Sequence, residues 1–248
     1  TSFRIDRERT AKLLGFDGLV RNSLDATSSR DFMLEASSCL AILMVGVSRI
    51  AEDLVLWSSS EFGYVELSEQ LSSVSSIMPQ KKNPTVLELI RGKSSRVVGN
   101  LTTLLGIMKG LNSGYSSDLQ ETKPVLWDSF DQTVDSLKIL ICIFISLNIQ
   151  PERMTKAISE SYVFAVDLAE QLAIKGIVSF REAHQVVGYL IRDIVSQSLG
   201  PDVVRATLVE MAARKVLGRQ IQVDSNLVAE ALDPMKSIAR RKPLGGPN

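Results

Sequence analysis

Residues 84–111, PTVLELIRGKSSRVVGNLTTLLGIMKGL, decide the fold. Leu87, Ile90, Ser94, Val97, Leu101, Leu104, Met108 and Leu111 follow one another in alternating steps of three and four. That is the spacing of one face of a long helix with a coiled-coil-type seam. With about 1.5 Å of rise per residue the helix is roughly 40 Å long, the length of a central bundle element. Asn83 is suited to cap it and Pro84 to occupy its first position, where the missing N–H costs nothing. Gly92, Gly99 and Gly106 recur every seven residues, although each costs about 1 kcal/mol against alanine inside a helix. They are expected to line a face that another helix approaches closely.

The same signal extends in both directions. Met33, Ala36, Leu40, Leu43, Val47, Ile50, Leu54 and Trp57 make a second long seam, and Cys39, Ile42 and Val45 give that helix another apolar face. Trp127, Phe130, Val134, Leu137, Ile141 and Phe144 mark a third. Ahead of them, Asp6 to Arg9 begins a short helix ended by Gly15 to Gly18. Beyond Pro151 the segments shorten, with amphipathic stretches expected at about 152–175, 180–198, 202–216 and 225–232. Ser179 and Glu182 form a capping box for the second of these, and Pro234 is expected to close the last. Residues 240–246 read as a disordered or surface tail. Strand alternation and internal repeats are absent from the pattern, which predicts an all-α protein. A long-helix bundle is expected over 1–150 and a small C-terminal helical domain over 151–248. Three long helices cannot bury two-sided apolar faces by themselves, so partner helices from other subunits or further chain are expected.

The totals exclude several classes. With 248 residues, 45% of them hydrophobic, the chain can build real cores. Twenty-eight basic and 28 acidic residues give zero formal charge, so there is no bulk electrostatic case for nucleic acid or an anionic membrane. The strongest apolar run, Ile139 to Leu147, is far short of the roughly 20 residues that span a bilayer, and no signal-peptide pattern opens the chain. A cytoplasmic protein is expected. Cys39 and Cys142 lie in apolar helical patterns and read as small hydrophobes, so neither a metal site nor a disulfide is expected. His184 is the only histidine, which excludes chemistry needing a histidine pair from within the chain. Its place inside the capped helix suggests a structural residue.

Chemistry concentrates in Ser75-Ser76-Ile77-Met78-Pro79-Gln80-Lys81-Lys82-Asn83-Pro84, where two hydroxyls, two ammonium groups and a helix start share ten residues. It closes a serine-rich stretch, 58–83, read as a mobile loop of the length used for lids and binding loops. Lys81, Lys82 and the positive end of the following helix form an anion site and would lower the pKa of a nearby hydroxyl.

The run SSIMPQKKNP resembles the signature of the fumarase/aspartase superfamily. Its KKNP ending resembles the argininosuccinate lyase family in particular. Further blocks are similar to that family in order: IDRER with LLGF, NSLDA, SRDF, LWSS, ELIRGK, DLQE and FREAH. The resemblance implies an all-α bundle of the fumarase/aspartase type and a cofactor-free, metal-free β-elimination of argininosuccinate to L-arginine and fumarate in arginine biosynthesis. It also implies a homotetramer whose active sites are each shared among three subunits. Residue by residue it implies Ser75 as the base, Lys81 and Asn83 as holders of a substrate carboxylate, and Glu88 as the carboxylate that orients a catalytic histidine. Tyr115, Gln120 and Lys123 are implied as substrate contacts. Alternatives remain for each: Glu88 could pair with Arg91 across one turn, and the other three could be ordinary loop and cap residues. Val74 stands where the family usually has glycine, and Ser116 and Ser117 replace a more amide- and cation-bearing pair. The family's earlier blocks, including the histidine linked to Glu88, are not found in these residues, and the chain is similar to the second half of such an enzyme. The same fold also serves as a silent structural protein of the crystallin kind, and sister lyases such as adenylosuccinate lyase share the chemistry.

Overall fold

The computed structural model describes residues 2–74, 77–78 and 81–246. The chain divides into two compact units, Thr1–Ile149 and Gln150–Asn248.

In the first unit two short helices, α1 (Arg7–Leu13) and α2 (Ser23–Ser28), precede the long α3 (Asp31–Ser58). Asp6 and Asn22 cap the short helices by accepting backbone N–H bonds. After α3 come β1 (Val65–Glu66), a 3-10 turn at Glu69–Leu71, β2 (Ser73–Val74) and β3 (Lys82–Asn83). Then follow α4 (Thr85–Met108), a second 3-10 turn at Ser117–Glu121, α5 (Thr122–Ser146) and β4 (Asn148–Ile149). β1 pairs antiparallel with β4, and β2 with β3. The stretch 58–83, read as loop, is therefore tied down at several points. Two-residue strands are too short for alternation to register in sequence.

α4 begins at Thr85, one residue later than expected. Pro84 takes the cap position with no side-chain cap bond, and Asn83 is drawn into β3 opposite Ser73. The physical reason is local: a residue before proline is pushed toward extended backbone, which favours pairing over capping.

The α4 seam packs inward as read, with Leu87, Ile90, Ser94, Val97 and Leu104 buried. α3 is rotated from its expected seam. Met33, Val47 and Leu54 are buried, but the rest of its inner face is Ser37, Ala41, Met44 and Ala51, while Leu43, Ile50 and Trp57 are exposed. α5 departs further, since its inner face is largely Thr122, Ser129, Thr133 and Ser136 with Leu140 and Ile143. Ser129, Thr133 and Ser136 donate to carbonyls one turn back, so their burial leaves no lost bond. Trp127, Phe130, Val134, Ile141 and Phe144, the expected seam, face outward. Small residues let the three helices come close inside the unit, and the large apolar residues are displaced to its outside. Gly92, Gly99 and Gly106 have open space where a Cβ would stand, so no element of the unit approaches them. Cys39 and Cys142 are exposed rather than buried.

Polar ties set the register of these helices. Arg91 reaches Glu52 of α3, and Lys93 reaches Gln132 of α5. Asp128 accepts from Arg96 Nε at 2.8 Å and Asn100 Nδ2 at 2.7 Å. Burial resists ionisation of Asp128, but Asn100 and Arg96 outweigh it and hold the carboxyl below its ordinary range.

The second unit comprises α6 (Pro151–Ser159), α7 (Phe164–Ile174), α8 (Phe180–Ser196), α9 (Ala206–Leu217), α10 (Ser225–Leu232) and α11 (Pro234–Arg240). Its core gathers Leu168, Leu172, Val186, Leu190, Val209 and Val228 around one centre. The capping box is present: Ser179 Oγ accepts from Glu182 N, and Glu182 Oε2 accepts from Ser179 N at 2.9 Å. The single helix read at 152–175 is two, broken at 160–163, where Tyr162 donates its hydroxyl to the Leu199 carbonyl at 2.6 Å. Pro234 opens a helix as well as ending one, because Asp233 caps α11 through Met235 N and Lys236 N. The start of the expected tail is also held, since Arg240 and Arg241 both reach the buried Asp167. Among the described residues no helix is long and apolar enough to cross a membrane.

Candidate active site

The described ends of the signature stretch are held by paired strands. β2 and β3 pair Ser73 with Asn83 and Val74 with Lys82, and the hydroxyls of Ser73 and Thr85 are hydrogen-bonded across the base. Val74, where glycine is usual in the resembled family, lies in β2, a conformation that suits a β-branched side chain. Ser75 lies outside the described residues, as do Ser76, Pro79 and Gln80.

Lys81 and Lys82 have different surroundings. Lys82 Nζ donates to Glu66 Oε1 at 2.8 Å and lies 3.8 Å from Glu69. The hydrogen bond to Glu66 is the largest cause raising the Lys82 pKa, and the bond from Lys82 is the largest cause lowering that of Glu66. Lys82 is thus engaged by Glu66 of β1 while it remains an exposed cation. Lys81 is exposed and takes no part in that pairing. Asn83 is half-buried at the strand end, and Glu88 is exposed in the first turn of α4. The alternative of Glu88 pairing with Arg91 is overturned, because Arg91 turns to Glu52. Sequence reasoning missed Glu66 and Glu69; their contact with Lys82 spans 16 and 13 positions, and no local pattern marks it.

Tyr115, Gln120 and Lys123 form the second group. Gln120 Nε2 donates to Tyr115 Oη at 2.9 Å, Gln120 lies in the 3-10 turn, and Lys123 is exposed in the first turn of α5. Ser116 Oγ donates to Asp118, and that bond is the largest cause lowering the Asp118 pKa. A Cβ placed on Gly114 would stand 3.6 Å from Leu24 of α2, so the segment before α3 shares this end of the unit. There Arg30 donates to the carbonyls of Thr27 and Ser29.

These two groups are not brought together. The hairpin and Glu88 sit at the start of α4, whereas Tyr115 and Gln120 follow its end. Twenty-four helical residues lie between, about 36 Å of rise. Because Arg96 on α4 pairs with Asp128 on the antiparallel α5, Lys123 lies level with about residue 101 of α4, roughly 20 Å along the helix from Glu88. One copy of the chain therefore cannot present both groups to one small molecule.

The chain is similar to known proteins along its whole length. A family described as lyase matches residues 1–99, and one described as argininosuccinate lyase C-terminal matches residues 162–239. A curated argininosuccinate lyase of Methanococcoides burtonii is 41% identical over 251 aligned residues, covering all of this chain and 50% of the relative. The chain is similar to one half of an argininosuccinate lyase. The argininosuccinate lyase of Geobacillus thermodenitrificans is 44% identical, covering 99% of this chain and 52% of the relative. Among solved structures, EDDS lyase in complex with formate superposes with a TM-score of 0.88 at 30% identity, over all of this chain and 49% of the other. The chain thus spans about half the length of the curated argininosuccinate lyases it matches, and it has the all-α fold of the fumarase/aspartase superfamily.

Proposed function

We propose that this chain supplies the signature-bearing part of an argininosuccinate lyase, which cleaves argininosuccinate to L-arginine and fumarate. The observation that carries the reading is the match along the whole chain to curated argininosuccinate lyases. The geometry supports it, because Lys81 and Lys82 both stand exposed just ahead of the start of α4.

In the proposed reaction Ser75 takes the proton beside a substrate carboxylate, and the electron pair left behind forms the double bond of fumarate as the C–N bond breaks. Lys81, Asn83 and the N–H groups at the start of α4 hold the carboxylate on which negative charge builds. The leaving guanidinium departs with a proton from an acid, and Glu88 orients the histidine that serves the site. Tyr115, Gln120 and Lys123 contact the substrate from a different copy, as their distance from the hairpin requires. The outward apolar faces of α3 and α5 fit the same assembly, a homotetramer whose long helices share one core. No cofactor is needed, because proton transfer and fixed charges suffice.

Fumarate absorbance tests the reading. The chain is assayed with argininosuccinate alone and together with the part of the Geobacillus relative that precedes the matched segment. Turnover in the combined sample is expected, with a loss of about 10²–10⁴-fold in Ser75→Ala, the range of a general base. Unchanged turnover in that variant would remove Ser75 from the mechanism. The likeness to EDDS lyase favours a second reading, a fumarate-releasing lyase that acts on a different amine adduct. Turnover of such an adduct but not of argininosuccinate would select it.

A further inference from the structure

We propose that Ser73 and Thr85 are a positioning pair for the proposed lyase site, whose shared hydrogen bond holds the strand leading into Ser75 against the start of α4. The inference rests on the reading of Ser75 as the base, and it gives a task to two residues outside the signature. Ser73 stands two residues before Ser75, and Thr85 is the first residue of α4. Their hydroxyls are hydrogen-bonded to each other across 12 positions of the chain, in a partly buried setting.

The strand pair needs such a tie. β2 and β3 are two residues each, with Ser73 opposite Asn83 and Val74 opposite Lys82, and a two-stranded pair is marginal in water by itself. Packing adds little on the β2 side, because Val74 is 70% exposed. β3 has an anchor in Lys82, which donates to Glu66 at 2.8 Å. The Ser73 hydroxyl serves β2 in the same way.

Thr85 offers a fixed point. Two residues on, Leu87 is fully buried, Ile90 follows it into the core and Arg91 reaches Glu52 of α3, so the first turn of α4 cannot shift without breaking that packing. Pro84 holds the cap position without a side-chain cap bond, which leaves the first N–H groups of the helix to other acceptors. The pair therefore joins the strand that leads to the base to the helix start that holds the carboxylate. Rates are steep in such geometry, since a misplacement of about 1 Å can cost about 10²-fold. Carboxylate binding by Lys81, Asn83 and the helix start uses neither hydroxyl, so the pair should act on kcat more than on KM.

The test measures fumarate release by this chain combined with the part of the Geobacillus relative that precedes the matched segment. Ser73→Ala, Thr85→Val and the double variant remove hydroxyls, while Ser73→Thr and Thr85→Ser keep them. Each single removal is expected to lower kcat about ten- to a hundredfold with KM changed by less than about threefold. The double variant should fall no further than the worse single, because the two hydroxyls act as one unit. Variants that keep a hydroxyl should retain kcat within about threefold. Multiplied losses in the double variant, a change confined to KM, or kcat unaltered by either removal would each overturn the proposal. Amide hydrogen exchange of the 248-residue chain separates this from failure of the lyase reading. Residues 73, 74, 82 and 83 should lose protection in Ser73→Ala and Thr85→Val and keep it in Thr85→Ser, whether or not argininosuccinate turns over. Unchanged protection in both removals would overturn the pair even where turnover is seen. Absence of turnover from the unmodified chain would overturn the lyase reading and with it the catalytic purpose of the pair, while exchange would still decide whether the tie exists.

Discussion

The two units handle apolar surface in opposite ways. In the second, Leu168, Leu172, Val186 and Val209 are fully buried around a single centre. In the first, Leu87, Ile90 and Val97 are buried, yet Ile42, Trp127, Phe144 and Ile145 stand 74%, 61%, 53% and 81% exposed. The difference teaches what each is for. The second unit encloses its own core, whereas the first uses small residues inside and presents its large ones outward, as an element of a larger core does. Exposed apolar side chains on these helices are what the proposed homotetramer would cover.

The comparison can be broken by paired truncations. Leu168→Ala should cost the second unit about 2–5 kcal/mol, the range for a buried leucine. Phe144→Ala in the dilute chain should change stability by less than about 0.5 kcal/mol, since it removes little buried surface. Urea unfolding monitored in each unit reads both, and a large loss from Phe144→Ala would show that its face is already covered.

Assembly sharpens it. Trp127→Lys with Ile145→Lys should lower the sedimenting mass of the complete protein while leaving its helical circular dichroism intact. An unchanged mass would place the interface elsewhere.

A smaller effect is electrostatic and local to the second unit. The backbone N–H of Ser179, then its hydroxyl, then Arg219 hold the Glu182 carboxyl below its ordinary range. A carboxyl depressed in the folded state contributes stability that is full above the unfolded value, near pH 4.3, and lost as pH falls through the folded value. Glu182→Gln should flatten the acid limb of the second unit's stability and leave the neutral region nearly unchanged. Melting curves between pH 3 and 7 measure this, and an unaltered acid limb would assign it to other carboxyls.

The smallest stability change concerns the hairpin. Glu66→Gln removes an exposed partner of Lys82, and such pairs add little to stability. Turnover of the complete enzyme should nevertheless fall and become less sensitive to salt, with Lys82→Glu, Glu66→Lys restoring part of it. Loss without any rescue would mean that the pair does not act through its charge.

The sequence by itself determined what repeats over a few residues: the three long helices, the α4 seam, the Ser179–Glu182 box and the signature stretch. Helical period and capping are local consequences of backbone geometry, so they survive without knowledge of neighbours. Local order misled where two choices competed, as at Asn83, where strand pairing displaced capping, and at 160–163, where a break interrupted an apolar pattern. Tertiary structure alone decided which face of α3 and α5 turns inward, because periodicity locates a seam but not the partner that covers it. It alone joined Lys82 to Glu66, gathered Arg240 and Arg241 on Asp167, and set the hairpin and the Tyr115 group at opposite ends of α4. Those relations depend on how distant segments meet in space, and residue spacing along the chain does not encode them.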